Sequence, residues 1–473
     1  MSDTTGSRTA EEDIGGAAGP ALAVPRPARG PRPGVTLALT SAATALALMA
    51  YTAPMVTLAR TAADLRTAPS AQAWLLNGAP LGLAALLLVA GSLADDYGRR
   101  RIFVWGTCVL GVTTALGGLT DSTLLFTLAR VAQGAASAAL LASSLGLIVH
   151  AFTTSRGRLH ASGVWGASVS GGIAVGPLLA GALPSWRLAY AVLGGAALIV
   201  AALSVRGLAE SRSAHRGRPD LAGAAAFGLA LTALVAALTL GREGWLRAPV
   251  LLLLAAAALL TAAFAFVEGR VRHPMIDLTL LRRPLFLASS VGGLFTGFAV
   301  IGLFSFLPTL LQRTLGLSPI GTAWLFFLWS GLSFVVALFA RLLNGRLSHR
   351  HQLTLGFVLH AVGVLAMLGA LDAGSWHRLL PGLVVAGVGS GLLNAALPLL
   401  AVDSVPAARA AMGSGAQQSA RYIGSCAGVA LTIALVASAG TEARGADVAL
   451  VVSAALSLLA AVVLAVLREG KRR

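Results

Sequence analysis

The sequence predicts an all-α polytopic membrane protein, and three observations carry that prediction. Of 473 residues, 56% are hydrophobic and 11% charged, with a mean hydropathy of +0.81, far from the balance of soluble globular chains. Apolar runs of about 20 residues, long enough to cross a hydrocarbon core as helices, recur along the chain. The alternating, roughly ten-residue segments of a transmembrane β-barrel are absent.

Residues 1–34 combine Ala, Pro and Gly with acids at 11–13 and arginines at 26, 29 and 32. No short apolar core with a small-residue cleavage site follows, so this stretch reads as a disordered cytoplasmic tail. Fourteen apolar runs come next, over 35–58, 73–93, 102–120, 123–148, 161–183, 188–206, 221–241, 247–268, 285–311, 319–340, 352–371, 377–402, 412–436 and 446–467. Lys and Arg concentrate in cytoplasmic loops. With the N-terminus inside, 25 of the 35 basic residues fall in inner segments and 8 in outer ones, with Arg130 and Arg421 inside helices. Both termini are therefore expected in the cytoplasm.

Two polar breaks organise the chain: "RGLAESRSAHRGRPD" (206–220) and "EGRVRHPMIDLTLLRRP" (268–284). They bracket two helices and leave six on each side. The expected domains are the tail (1–34), an N-terminal six-helix bundle (35–206), a linker with two inserted helices (207–284), a C-terminal six-helix bundle (285–467) and a basic tail (468–473). Paired six-helix repeats are a transporter plan.

Composition also excludes function classes. The net charge of +17 is explained by helix orientation, so no nucleic-acid partner is expected. Cys108 and Cys426 both lie inside apolar runs and offer neither a disulfide framework nor metal spacing. No phosphate-binding G-x-x-x-x-G-K-[ST] loop occurs. A membrane enzyme would need clustered His, Asp or Glu at one face, and only His349 and His351, flanking Arg350, approach that. No enzyme, cofactor or metal site is predicted.

Three stretches carry specific patterns. "GSLADDYGRR" (91–100) puts Gly91, Asp95, Asp96, Gly98, Arg99 and Arg100 between the second and third helices. "LARVAQGAASAA" (128–139) places Arg130, Gln133 and Gly134 in the fourth. "GVWGASVSGGIAVGPLLAG" (163–181) spaces Gly163, Gly172, Gly176, Pro177 and Gly181 along the fifth. Together these resemble the major facilitator superfamily, and within it the fourteen-helix drug:proton antiporter branch. "PSWRLAY" (184–190), "HPMIDLTLLRRPLF" (273–286) and the glycine-rich 410–431 are weaker matches.

The resemblance implies a major facilitator fold and alternating-access export of a lipophilic drug, antibiotic or metabolite, coupled to proton influx across a bacterial cytoplasmic membrane. It implies that Asp95, with Gly91, Gly98, Arg99 and Arg100, latches one closed state against the thirteenth helix near Met412. It makes Arg130 a coupling candidate and links the fifth-helix motif to export. Plainer readings stand beside these: a basic loop that only orients helices, an arginine that snorkels to the interface, and glycines that only permit close packing. A facilitator or importer of a small metabolite, or a transport-inactive sensor, remain the alternatives to an exporter. The expected partners are a small lipophilic substrate, protons and the lipid bilayer, with the chain acting as a monomer.

The sequence departs from that branch in the first helix, where Ala50, Met55 and Ala59 occupy positions that usually include an acid and an asparagine. None of the 18 acids falls near mid-bilayer. His360, mid-helix, is a second coupling candidate because histidine titrates near physiological pH; the plain alternative is a neutral imidazole bonding another helix. Tyr51, Asn77, Gln133, Asn394 and Gln417 are embedded polar residues and candidates for a substrate cavity between the halves. A cavity with so few charges favours lipophilic, neutral or cationic substrates.

Overall fold

The computed structural model describes residues 32–211, 221–241, 246–270, 280, 282–340, 347–405 and 410–467. Of the tails expected over 1–34 and 468–473, residues 1–31 and 468–473 lie outside these, and α1 begins at Pro33, inside the first. Every regular element among the described residues is helical. In chain order they are α1 (Pro33–Thr52), α2 (Pro54–Asp64), α3 (Gln72–Tyr97), α4 (Arg99–Leu119), α5 (Thr123–Ala151), α6 (Ser155–Ala182), α7 (Trp186–Gly207), α8 (Leu221–Gly241) and α9 (Ala248–Glu268). There follow α10 (Pro284–Phe295), a π-helical turn (Thr296–Ile301), α11 (Gly302–Leu315), α12 (Pro319–Ala340), α13 (His349–Leu365), α14 (Leu380–Asp403), α15 (Ala410–Ser438) and α16 (Glu442–Val466).

Eleven helices among the described residues are long and apolar enough to cross a membrane, and Gln72–Leu87 and Ala225–Leu238 are shorter apolar helices. Large apolar side chains point outward, among them Trp105, Leu119, Leu252 and Leu259. On a soluble protein that surface would drive aggregation; lipid solvates it at no cost.

Two of the expected helices are not continuous. The run expected over 35–58 is divided at Ala53 into α1 and α2, because Pro54 has no N–H to extend the ladder. The run expected over 285–311 contains the π turn, in which Gly302 N–H reaches back five residues to Gly297 O. The run expected to 371 leaves α-helical geometry after Leu365, and Gly369 and Gly374 take φ of 70° and 64° in the turns that follow. Helix starts shift earlier where a hydroxyl can cap: Thr154 accepts from Gly157 N–H, and Thr441 from Arg444 N–H.

The N-terminal half packs α3 against α5, α4 against α5 and α7, and α1 against α6; the C-terminal half packs α13 against α14 and α16, α12 against α14, and α15 against α10 and the π turn. Four pairings join the halves: α3 with α15, α6 with α12, and α2 with both α11 and α12. The inserted pair α8–α9 adheres through α8, which touches both α3 and α15. Small residues make these crossings close. A Cβ on Gly134 would fall 2.1 Å from Ala79 O, and one on Gly297 1.9 Å from Arg421 O, so only glycine fits.

Candidate functional site

The site begins with the break in the first rod. A helical carbonyl bonds the N–H four residues on, so Pro54 leaves Ala50 O without its partner. Arg130 from α5 supplies the donor: Nη1 reaches Ala50 O at 2.6 Å and Gln133 Oε1 at 2.5 Å, and Nη2 reaches Tyr51 O at 3.1 Å. Arg130 is 1% exposed. Its head is inside the bundle, not at an interface, so the snorkelling reading does not describe it. Pro177 in α6 likewise vacates Ile173 O, and Thr52 Oγ1 lies 3.3 Å from it while bonding Leu48 O at 2.9 Å.

The consequence is a cleft between the halves at the level of these irregular backbones. Leu48, Tyr51, Thr52 and Met55 of the first rod and Val169, Ser170 and Ile173 of α6 form one wall. Ile301, Phe304 and Ser305, then Phe326, Trp329, Ser330, Ser333 and Phe334 of α12, form another; Asn394, Gln418, Arg421 and Tyr422 complete it. About 760 Å³ of space there is free of protein atoms, counting the part open to solvent. Phe304 stacks on Trp329 at 4.1 Å between ring centroids, and Tyr51 meets Tyr422 edge-on at 6.0 Å. Asn394 Nδ2 donates to Ser333 Oγ at 3.1 Å. The mixture of aromatic faces and isolated hydrogen-bonding groups suits a lipophilic ligand with few polar atoms.

One end of the cleft is pinned across the halves. Gln312 Nε2 donates to Val56 O at 2.8 Å and to Thr322 Oγ1 at 3.1 Å. Arg313 donates to Gln72 Oε1 at 3.0 Å and pairs with Glu442 at 3.3 Å. A Cβ on Gly181 would lie 2.9 Å from Pro319 O. Toward the other end of α6 the packing opens: a methyl placed on Gly163 or Gly166 would meet nothing within 4 Å. Gly172 and Gly176 sit against Ala45 O and Met49 O of α1, with Pro177 beside them. The fifth-helix motif thus packs closely at four of its five positions, and Gly163 is the exception.

The predicted site residues fall into three places. Tyr51 and Asn394 line the cleft. Asn77, Gln133 and Gln417 do not. Asn77 Nδ2 bonds Cys426 O at 3.0 Å across the α3–α15 seam, Gln133 is bound to Arg130, and Gln417 packs on Gly293 of α10. His360 is also away from the cleft: Nε2 is 3.3 Å from Ser453 Oγ, which donates to Ala299 O at 2.8 Å. The cavity expectation names Gln417, whereas its neighbour Gln418 is the residue that lines the cleft. Helical spacing holds the correction: Gly413, Gln417, Gly424 and Gly428 share the packed face, whereas Gln418 and Tyr422, four apart, share the next one, with Arg421 between the two.

The 91–100 link has its own chemistry. Gly98 takes φ 110°, and a Cβ there would lie 2.7 Å from Glu210 Oε1. Glu210, just beyond α7, accepts from Arg100 N–H and from Ser211 N–H, each at 3.1 Å, and lies 3.8 Å from Arg101 Nε. Arg99 N–H donates to Ser211 O at 3.0 Å and its guanidinium to Gly146 O at 3.3 Å; Arg100 Nη2 donates to Val205 O. A methyl on Gly91 would meet nothing within 4 Å. The side chains of Asp95, Asp96 and Met412, on which the latch expectation falls, lie outside the described residues. Glu210 is absent from the sequence expectations; its one signal is that it is one of two acids in a mainly basic break.

Comparison with known proteins agrees with this architecture. The family model described as Major Facilitator Superfamily matches residues 40–429. The multidrug resistance protein Stp of Mycobacterium tuberculosis is 31% identical over 77% of this chain and 68% of its own length. The puromycin resistance protein pur8 of Streptomyces alboniger is 34% identical over 81% of this chain and 78% of its own. In fold, a bacterial homologue of the human lysosomal transporter Spinster, solved inward-facing and unoccupied, superposes with a TM-score of 0.65 at 18% identity, covering 93% of this chain and 99% of that one.

Proposed function

The chain belongs to the Major Facilitator Superfamily, and from that membership we propose that it is a secondary exporter of lipophilic drugs, antibiotics or metabolites working by alternating access. The observation that carries this reading is the cleft: both halves line it, it lies where their backbones are irregular, and the Gln312 and Arg313 hydrogen bonds across the halves cluster at one end of it. Relatives whose names denote multidrug and antibiotic resistance support the direction and the substrate class.

In this reading the rods make fourteen crossings, with α1–α2 and α10–α11 each counted once. Both termini are cytoplasmic and the pinned end is the outer one, so the conformation faces inward. Opening to the outside breaks the Gln312 and Arg313 contacts and closes α6 and α12 at the inner end. The link at Gly91, Asp95, Gly98, Arg99 and Arg100 then engages the start of α15. Proton influx supplies the drive. Arg130 and His360, the coupling candidates, hydrogen-bond to other groups and are not among the residues that line the cleft.

The test is an efflux and susceptibility panel of lipophilic antibiotics in a pump-deficient bacterial host, with and without a protonophore. Raised resistance and lowered drug accumulation, both abolished by the protonophore, are expected. Unchanged susceptibility and accumulation across the panel would overturn the exporter reading.

A further inference from the structure

Resting on that exporter reading, we propose that the transported compound is a lipophilic aromatic anion, a carboxylate or an ionised phenol or enol, and that Arg421 binds its oxyanion. Two arginines lie deep within the helical bundle, and their surroundings differ. Arg130 has both terminal nitrogens engaged, by Ala50 O, Tyr51 O and Gln133, and only its Nε is left without a partner. Arg421 lines the cleft, and among the described residues no ion pair or hydrogen bond engages its guanidinium. Its electrostatic neighbours are the phenols of Tyr422 and Tyr51. No Asp, Glu or Lys is among the described residues lining the cleft.

A guanidinium inside a membrane protein is costly unless a partner meets it. Here the chain offers none among the described residues, and a ligand oxyanion completes the site, accepting the paired N–H bonds that an arginine presents in a fixed fork. A second polar group lines the same cleft, a hydroxyl buried in this conformation. Tyr51 is 9% exposed, and its Oη, with Ser425 as polar neighbour, makes no hydrogen bond of normal geometry. The stacked Phe304–Trp329 pair supplies the aromatic wall on the far side. One arginine balances one negative charge. A cation entering the same cleft meets repulsion with no carboxylate among the described lining residues to offset it, so the proposal replaces the neutral-or-cationic expectation drawn from composition.

The assay expresses the full chain in a pump-deficient host and follows accumulation of three aromatic dyes: anilinonaphthalene sulfonate (anion), Nile red (neutral) and ethidium (cation). The expected result is a several-fold fall in accumulation of the anion and none for ethidium. Arg421→Gln at equal membrane abundance should abolish efflux of the anion, and Arg421→Lys should retain part of it. If Arg421→Gln fails to reach the membrane, Tyr51→Phe serves, and it should lower the ratio of anion to Nile red efflux. Preferential export of ethidium, or full anion efflux by Arg421→Gln, overturns the inference while leaving the exporter reading intact. A chain that moves none of the three overturns the exporter reading, and the inference falls with it.

Discussion

Arg130 Nη1 sits 2.6 Å from Ala50 O, the one carbonyl in that turn whose helical donor Pro54 removes. The arginine repairs a gap made by the proline 76 positions earlier in the chain (130 against 54), and it fixes the backbone of Tyr51, a cleft residue.

The first prediction is a coupling between those positions. Arg130→Ala leaves a buried carbonyl unpaired and should destabilise the protein by about 1–3 kcal/mol. Pro54→Ala returns an N–H at position 54, so the cost of Arg130→Ala should shrink in that background by about 1 kcal/mol. The unfolding midpoints of the four detergent-solubilised proteins measure this. Additive effects would show that the arginine does not act on the vacated carbonyl.

Gly98→Ala should be costly for its backbone alone. A side chain at φ 110° is strained by at least about 1–2 kcal/mol. Removing the contacting carboxylate with Glu210→Ala should leave most of that cost in place. Membrane abundance and unfolding midpoint report it; full rescue by Glu210→Ala would mean that the clash, not the backbone, sets the requirement.

Gln312→Leu removes both hydrogen bonds that this side chain makes at the pinned end. Each is worth about 0.5–1.5 kcal/mol, so losing even one moves a two-state balance by roughly two- to tenfold. Labelling of Ser170→Cys by an impermeant maleimide from outside, in a Cys108→Ser background, should accelerate accordingly. An unchanged rate would show that this contact does not hold the end closed.

Gln417 and Gln418 should separate cleanly. Gln418→Ala should alter transport with little change in unfolding midpoint, because the side chain faces the cleft. Gln417→Ala should lower the midpoint, because it empties space against Gly293, and leave transport per folded molecule unchanged. Equal transport defects would place both on the substrate path.

His360→Ala should leave protonophore sensitivity of efflux unaltered while lowering the unfolding midpoint, since the imidazole ties α13 to α16 through Ser453. Loss of the protonophore response would restore His360 as a proton carrier.

Much of the architecture is legible in the letters because a bilayer imposes one rule: apolar runs must be helical, and their basic flanks show in the sequence. The places of Tyr51 and Asn394 in the cleft can be read from polarity within those runs. Other features depend on partners far apart in the chain. Nothing local says that Arg130 answers Pro54, or that Glu210 closes over Gly98 after four intervening helices. Gln417 is easily taken for Gln418 because adjacent residues on a helix point about 100° apart, and only the glycine spacing around them tells the faces apart. The π turn leaves no composition signal, since Thr296–Ile301 is as apolar as its neighbours.

That turn bears on how the two halves compare with each other. Hydrogen bonding five residues back accommodates an additional residue in the helical ladder, so every position after Ile301 is rotated by about 100° relative to an unbroken α-helix. Phe304 and Ser305 owe their cleft-facing orientation to this offset. An alignment of the N- and C-terminal halves that allows no insertion within 296–301 sets cleft residues of one half beside lipid-facing residues of the other. A single-codon deletion within 296–300 would therefore repaint one wall of the cleft without altering any residue that lines it.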